Sequence, residues 1–214
     1  MPETRVLAVA ASGVTTVNAR RVGGWLVVTV VALVAAHAVD EAAWRLLRDP
    51  RVYERDWGRL LRILGFLPTW ALVAVALWRG AEDRTLGARR ARLLLVSATA
   101  GGVAAEGLKL LVRRLRPVVE QFGYAFRPFS EELWSTRGLG FPSSHAFVAF
   151  AAAWALARLF PELRWLWVAL AVGCGLTRVL AVGHYVSDVV AAAAFAWLLV
   201  AVLASRLLPP PVDQ

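Results

Sequence analysis

Two of the three histidines in this chain, and its single lysine, fall within three short polar clusters. The clusters are Lys109 with Arg116-Pro117, Pro142-Ser143-Ser144-His145, and Arg178 with His184 and Asp188. Ammonium, guanidinium and hydroxyl groups beside two imidazoles suit a tetrahedral oxyanion. The cations bind phosphate oxygens, and an imidazole can attack or carry a proton. His184 and Asp188 are four residues apart and share one helix face. A carboxylate there fixes the ring's tautomer and leaves the other nitrogen free to attack. Arg178 lies six residues before His184, across Gly183, and can neutralise the attacked group. A histidine, an aspartate and an arginine near membrane depth are costly unless used.

The other two clusters are less specific taken singly. Pro142-Ser143-Ser144-His145 reads as a helix start, with serine as N-cap. The first N–H groups of that helix have no internal partner and favour an anion. Serine hydroxyls add donors, and His145 stands at the mouth, placed to pass a proton to a leaving oxygen. A plain capped helix with an interfacial histidine accounts for the same residues. Lys109 and Arg116 are seven apart, two helical turns, so they share a face, with Pro117 marking the helix end. Phosphate ligation and snorkelling to lipid headgroups both explain that pair. Arg113 and Arg114 are read as snorkelling. His37 and Asp40 are read as an interfacial collar, and Glu106 as a partner for Lys109.

The elements that must hold these groups are membrane helices. Apolar residues make up 59% of the 214 residues, and mean hydropathy is +0.59, too apolar for a soluble domain of this size. The expected fold is all-α, a polytopic membrane bundle of six transmembrane helices forming a single domain over 1–214. The spans run from about Val22 to Val39, Leu60 to Trp78, Ala91 to Leu115, Ser143 or Ser144 to Phe160, Leu163 to Val182, and His184 to Leu208. Pro209-Pro210-Pro211 closes the last one. The first apolar run reads as a retained span rather than a cleaved signal peptide. In an up-down bundle of six, all three clusters face one side, opposite the N-terminus.

Charge helps to orient the bundle. The formal charge is +9, but the arginines are scattered through loops between spans. They suit anionic headgroups or substrate, not nucleic acid. Eleven basic residues lie on the N-terminal side and thirteen opposite, so the tally alone does not orient the chain. The densest uncompensated group is Arg84, Arg89, Arg90 and Arg92. That places the N-terminus in the cytoplasm and the clusters on the extracytoplasmic side of a bacterial inner membrane. Ten tryptophans fit an interfacial belt, and the lone Cys174 excludes an intrachain disulfide.

Taken together, the clusters resemble the three-part signature of the type 2 phosphatidic acid phosphatase family. Lys109, six residues, then Arg116-Pro117 matches the first part in full. Pro142-Ser143-Ser144-His145 matches the second, with Ser144 in place of glycine. Thr177-Arg178, five residues, His184, three residues and Asp188 match the third, with Thr177 in place of serine. The signature region is 109–188. The resemblance implies a metal-independent, cofactor-free membrane lipid phosphatase acting through a phosphohistidine. His184 would be the nucleophile, Asp188 its orienter and His145 the general acid. Lys109, Arg116, Ser143, Ser144 (through its backbone N–H) and Arg178 would hold the phosphate.

Substrates compatible with this site include undecaprenyl diphosphate, phosphatidate, phosphatidylglycerol phosphate and a lipid A phosphate. The expected partners are a lipid phosphate substrate and membrane lipids. The same residues are also compatible with a lipid-linked phosphotransferase, and the basic site with a phospholipid carrier. Serine at 144 keeps the amide but adds bulk where glycine allows the closest backbone approach.

Overall fold

The structure, a computed structural model, describes residues 19–208. The proline run at 209–211 and the residues before Ala19 lie outside that range. Among the described residues the fold is all-helical: α1 (Ala19–Leu47), α2 (Asp56–Ile63), α3 (Leu67–Gly80), α4 (Arg84–Val112), α5 (Ser144–Leu159), α6 (Arg164–Leu180) and α7 (Val186–Leu207).

Helix α5 is the axis of the bundle, packed against α4, α6 and α7. Its sequence, SHAFVAFAAAWALARL, is apolar all round, as a helix enclosed by others must be. Its alanines let neighbouring backbones approach closely, since apolar area alone does not drive helices together in lipid. A Cβ on Gly101 of α4 would lie 3.0 Å from the Ala151 Cβ of α5. Outward faces are the reverse. Val27, Val28, Val31 and Val34 of α1 are each more than 60% exposed, as lipid-facing residues should be.

Among the described residues, four helical stretches are long and apolar enough to cross a bilayer: Gly23–Leu47, Arg84–Val112, Pro161–Leu180 and Val186–Leu207. The chain is therefore a membrane protein, but the structure does not reproduce six full spans. The expected second span is two helices, α2 and α3, bent by 67° at Leu64–Phe66. Pro68 opens α3, and the break lies at a close contact. The bare Cα of Gly65 sits against His145, where a Cβ would come within 2.6 Å of the histidine Cβ. Helix α5, at 16 residues, is about 24 Å long and falls short of a hydrocarbon core of about 30 Å.

Two local boundaries also differ from expectation. Helix α4 stops at Val112, not Leu115, because Arg113 adopts the left-handed conformation at φ 58°. The Arg113 side chain is buried and gathers the carbonyls of Arg127 (3.0 Å), Pro128 (3.0 Å), Glu131 and Leu133 (3.4 Å), which holds that conformation in place. Residues 114–116 then run extended between two loop segments. Leu115 N–H donates to Ala125 O at 2.8 Å, and Arg116 N–H to Gly138 O at 3.0 Å. Arg116 is therefore not on the helix that carries Lys109, and the shared-face argument for that pair fails. The last helix starts at Val186, which leaves His184 in the preceding turn.

Candidate active site

The C-terminal ends of α4 and α6 and the N-terminal ends of α5 and α7 meet at one end of the bundle. Lys109 Nζ donates to Ser144 Oγ at 2.5 Å, joining the first cluster to the second. Ser143 N–H donates to the Asp188 main-chain carbonyl at 3.2 Å, joining the second to the third. The charges of Arg178 and Arg116 act on both the His145 and the His184 rings, so these two arginines and both rings share one neighbourhood.

His184 is buried, and its ring is held from behind. Nδ1 lies 2.9 Å from the Gly140 carbonyl, which can only accept, so Nδ1 carries the proton and Nε2 holds the lone pair. Asp188 Oδ2 is farther from Nδ1, at 3.5 Å. The carbonyl is thus the direct hydrogen-bond partner and the carboxylate a nearby charge. Burial lowers the pKa of this ring to about 4, against the opposing hydrogen bond and charge of Asp188. The imidazole is accordingly neutral at neutral pH, the form a nucleophile requires.

Asp188 is fully buried and makes its bonds within a network. Oδ2 accepts the Tyr185 N–H at 2.8 Å in a capping box at the start of α7. Oδ1 accepts from Arg114 Nη2. Arg114, 3% exposed, also donates to Ser187 Oγ at 2.8 Å and lies 3.2 Å from His37 Nε2. Its guanidinium stands 4.8 to 5.2 Å from the ring centres of Tyr124, Phe141 and Tyr185. Snorkelling is therefore the wrong reading for Arg114, which is an internal counter-ion, and for Arg113, which is the buried end of α4. Asp40 is corrected likewise. It is 1% exposed and accepts from Ser187 N–H (2.9 Å), Ser187 Oγ (2.6 Å) and Tyr124 OH (2.8 Å), tying α1 to α7.

The groups expected to face phosphate are less engaged. Ser143 is the N-cap of α5 but makes no capping bond, and its buried Oγ has no partner among the described residues. The same holds for His145 Nε2 and Arg178 Nε. Arg178 Nη1 donates to Tyr53 OH at 2.7 Å, and Phe66 packs edge-on against the His145 ring at 5.0 Å. Arg62 stacks over Tyr53 at 4.6 Å. Tyr53, Arg62 and Phe66 come from the first loop and the α2–α3 bend, where sequence spacing carried no signal. Burial, and next the charge of Arg178, lower the pKa of Arg116. Ser144 differs from Ser143. Its hydroxyl donates to Glu106 Oε1 at 2.6 Å while accepting from Lys109, so it has no proton left for a phosphate.

Chemically, the site offers a lone pair on His184, a second ring with an unengaged Nε2, and cations and helix-start amides at the same end of the bundle. Apolar grooves run elsewhere along the helices. One, between α1, α5 and α7, is lined by Trp25, Trp154 and Trp197 and by none of the clustered residues.

Known proteins are similar to this chain. A lipid A 1-phosphatase of Rhizobium johnstonii is 41% identical over 112 residues, 49% of this chain and 44% of that protein. A lipid A 1-phosphatase of Rhizobium etli is 38% identical over 120 residues, 53% of this chain and 50% of that protein. The chain thus matches about half the length of these curated relatives. The crystal structure of a transmembrane PAP2 type phosphatidylglycerolphosphate phosphatase from Bacillus subtilis superposes with a TM-score of 0.59, covering 86% of this chain and 94% of that one. At 20% identity that match shows a shared fold. The model of the PAP2 superfamily matches residues 90–208, more than half of the chain and all three clusters. On that match, this chain is a member of the PAP2 superfamily.

Proposed function

We propose that the chain is a membrane phosphatase that removes phosphate from a lipid by way of a phosphohistidine. The observation that carries this reading is the state of His184: Nδ1–H is engaged by Gly140 O, and the ring is neutral by burial, so Nε2 is free to attack. In the first step Nε2 bonds to phosphorus and the bond from phosphorus to the lipid oxygen breaks. His145 delivers a proton to that oxygen. Water then attacks the phosphohistidine, His145 takes its proton, and phosphate leaves with His184 restored. Arg116, Arg178, Lys109, Ser143 Oγ and the first amides of α5 stabilise the charge on the transferring group. Phosphoryl transfer depends on such positioning and electrostatics more than on covalent assistance.

Asp188 serves as a charge behind the ring that steadies imidazolium character as it develops. The cations take the part that a metal plays in other phosphatases, so turnover should persist in EDTA. Loss of turnover in EDTA with recovery on adding magnesium would count against this mechanism. The site lies at the extracytoplasmic face of the inner membrane, with the N-terminus inside, a placement motivated by the arginine group at 84–92. Among lipid phosphates, the 1-phosphate of lipid A is favoured, because both curated relatives are named for it.

The test is phosphate release in detergent from a panel of lipid A phosphate, phosphatidylglycerol phosphate, phosphatidate and undecaprenyl diphosphate. His184→Ala should lower release from every accepted lipid by about 10³-fold or more while the protein stays folded. Wild-type turnover in that variant would remove His184 from the nucleophile's role.

A further inference from the structure

Three side chains at the junction of α4 and α5 are occupied with one another. Lys109 Nζ donates to Glu106 Oε1 at 2.8 Å and to Ser144 Oγ at 2.5 Å. The Ser144 hydroxyl passes its only proton to the same Glu106 oxygen, at 2.6 Å. The triangle is closed, and two of the three lysine N–H donors are spent inside it. Lys109 is 4% exposed, whereas the Glu106 side chain is 46% exposed, so the triangle opens to water on the carboxylate side. A carboxylate oxygen therefore stands where an ammonium in a phosphate site would hold an oxygen of its ligand. The family signature has glycine at position 144, and glycine has no hydroxyl to complete the triangle.

Resting on the phosphatase reading above, we propose that Glu106, bridged by Ser144, is an internal competitor for phosphate at Lys109. It lowers the affinity of the subsite for the phosphate of the substrate and for the phosphate released. An incoming dianion must displace the carboxylate from Lys109 or share the ammonium with it, and like charges at that spacing repel. The flexible four-carbon stem of lysine makes the exchange possible without backbone movement. Ser144 sets the strength of the competition, because its hydroxyl bonds both members of the pair. The opposite role, in which Glu106 aims Lys109 at the phosphate, predicts effects of the opposite sign.

The experiment uses the full chain in detergent with Glu106→Gln and Ser144→Ala. KM for a short-chain phosphatidate, or for whichever lipid of the panel turns over, is measured alongside the Kd of inorganic phosphate by calorimetry. Both constants should fall by about three- to tenfold in either variant, the scale of one partly screened charge pair. In a Lys109→Met background, Glu106→Gln should leave the Kd for phosphate unchanged, since nothing remains to compete for. Constants that rise or stay level in variants melting like the wild type would overturn the proposal, as would an equal effect in the Lys109→Met background. If Glu106→Gln does not fold, Ser144→Ala alone decides the sign. A wild-type chain that neither hydrolyses any lipid of the panel nor binds inorganic phosphate would sink the phosphatase reading itself, a result distinct from level constants in an active enzyme.

Discussion

The two walls of the site are built in opposite ways. Behind His184, every polar atom of Asp188 and Asp40 named above has a partner, and the network spans α1, α7 and the loop before α5. Facing it, Ser143 Oγ, His145 Nε2 and Arg178 Nε are buried without partners among the described residues. An unpaired buried polar atom costs about 1–3 kcal/mol, so the open wall carries a cost that an oxyanion with several acceptor oxygens would relieve. On the proposed mechanism, the contrast separates what holds the nucleophile from what receives the phosphate. A satisfied network fixes the ring's position before substrate arrives, and unsatisfied donors reserve their hydrogen bonds for the charge that develops.

Substitutions on each wall should therefore fail differently. The largest effect is expected from Arg114→Gln, which strands the buried Asp188 carboxylate. Stability should drop by about 3–5 kcal/mol, read by denaturant unfolding in detergent, with hydrolysis lost as well. Arg114→Lys keeps a charge without the fork and should recover only part of both. If Arg114→Gln unfolds like the wild type, the closed wall is not what braces the site.

Next in size is the titration of the His184 ring. Burial depresses its pKa to about 4, so protonation, and with it loss of the attacking lone pair, should occur near pH 4 and not near the ordinary 6.5. Histidine NMR in detergent, assigned by substituting each of the three histidines, would show this directly. A midpoint near 6.5 would mean that the ring is wet. The smallest effect belongs to the open wall. Ser143→Ala removes a buried hydroxyl that has no partner among the described residues, so stability should hold or rise, by up to about 1–3 kcal/mol. KM for the lipid should rise about fivefold, the worth of one hydrogen bond. Marked destabilisation instead would show that Ser143 Oγ is already engaged.

Much of this was legible from residue types and spacing. The chain has one lysine and three histidines, and the three clusters that recruit the lysine and two of the histidines do meet at one end of the bundle. Helix ends were less legible. Arg116 reads as two turns past Lys109, yet a left-handed Arg113 stops the helix three residues earlier. That conformation depends on carbonyls at 127–133, which no local pattern reveals. The second span reads as continuous because its apolar run is continuous. Its break coincides with Gly65, packed on a histidine 80 positions later, and with Pro68 in the first turn of α3.

Sequence by itself determined the chemical inventory, the apolar helices and the order in which cations, hydroxyls and imidazoles enter the site. These depend on residue identity and on near-neighbour periodicity, which a linear chain displays. Only the tertiary structure decided that Arg114 pairs with Asp188 and not with lipid headgroups, that Gly140 rather than the carboxylate holds the His184 proton, and that one serine of an adjacent pair has no partner among the described residues while the other is tied to Glu106. Arg114 and Asp188 are 74 positions apart. A pairing across that distance is set by where helices land on one another, and burial then makes the few groups that find partners count far more than they would in water.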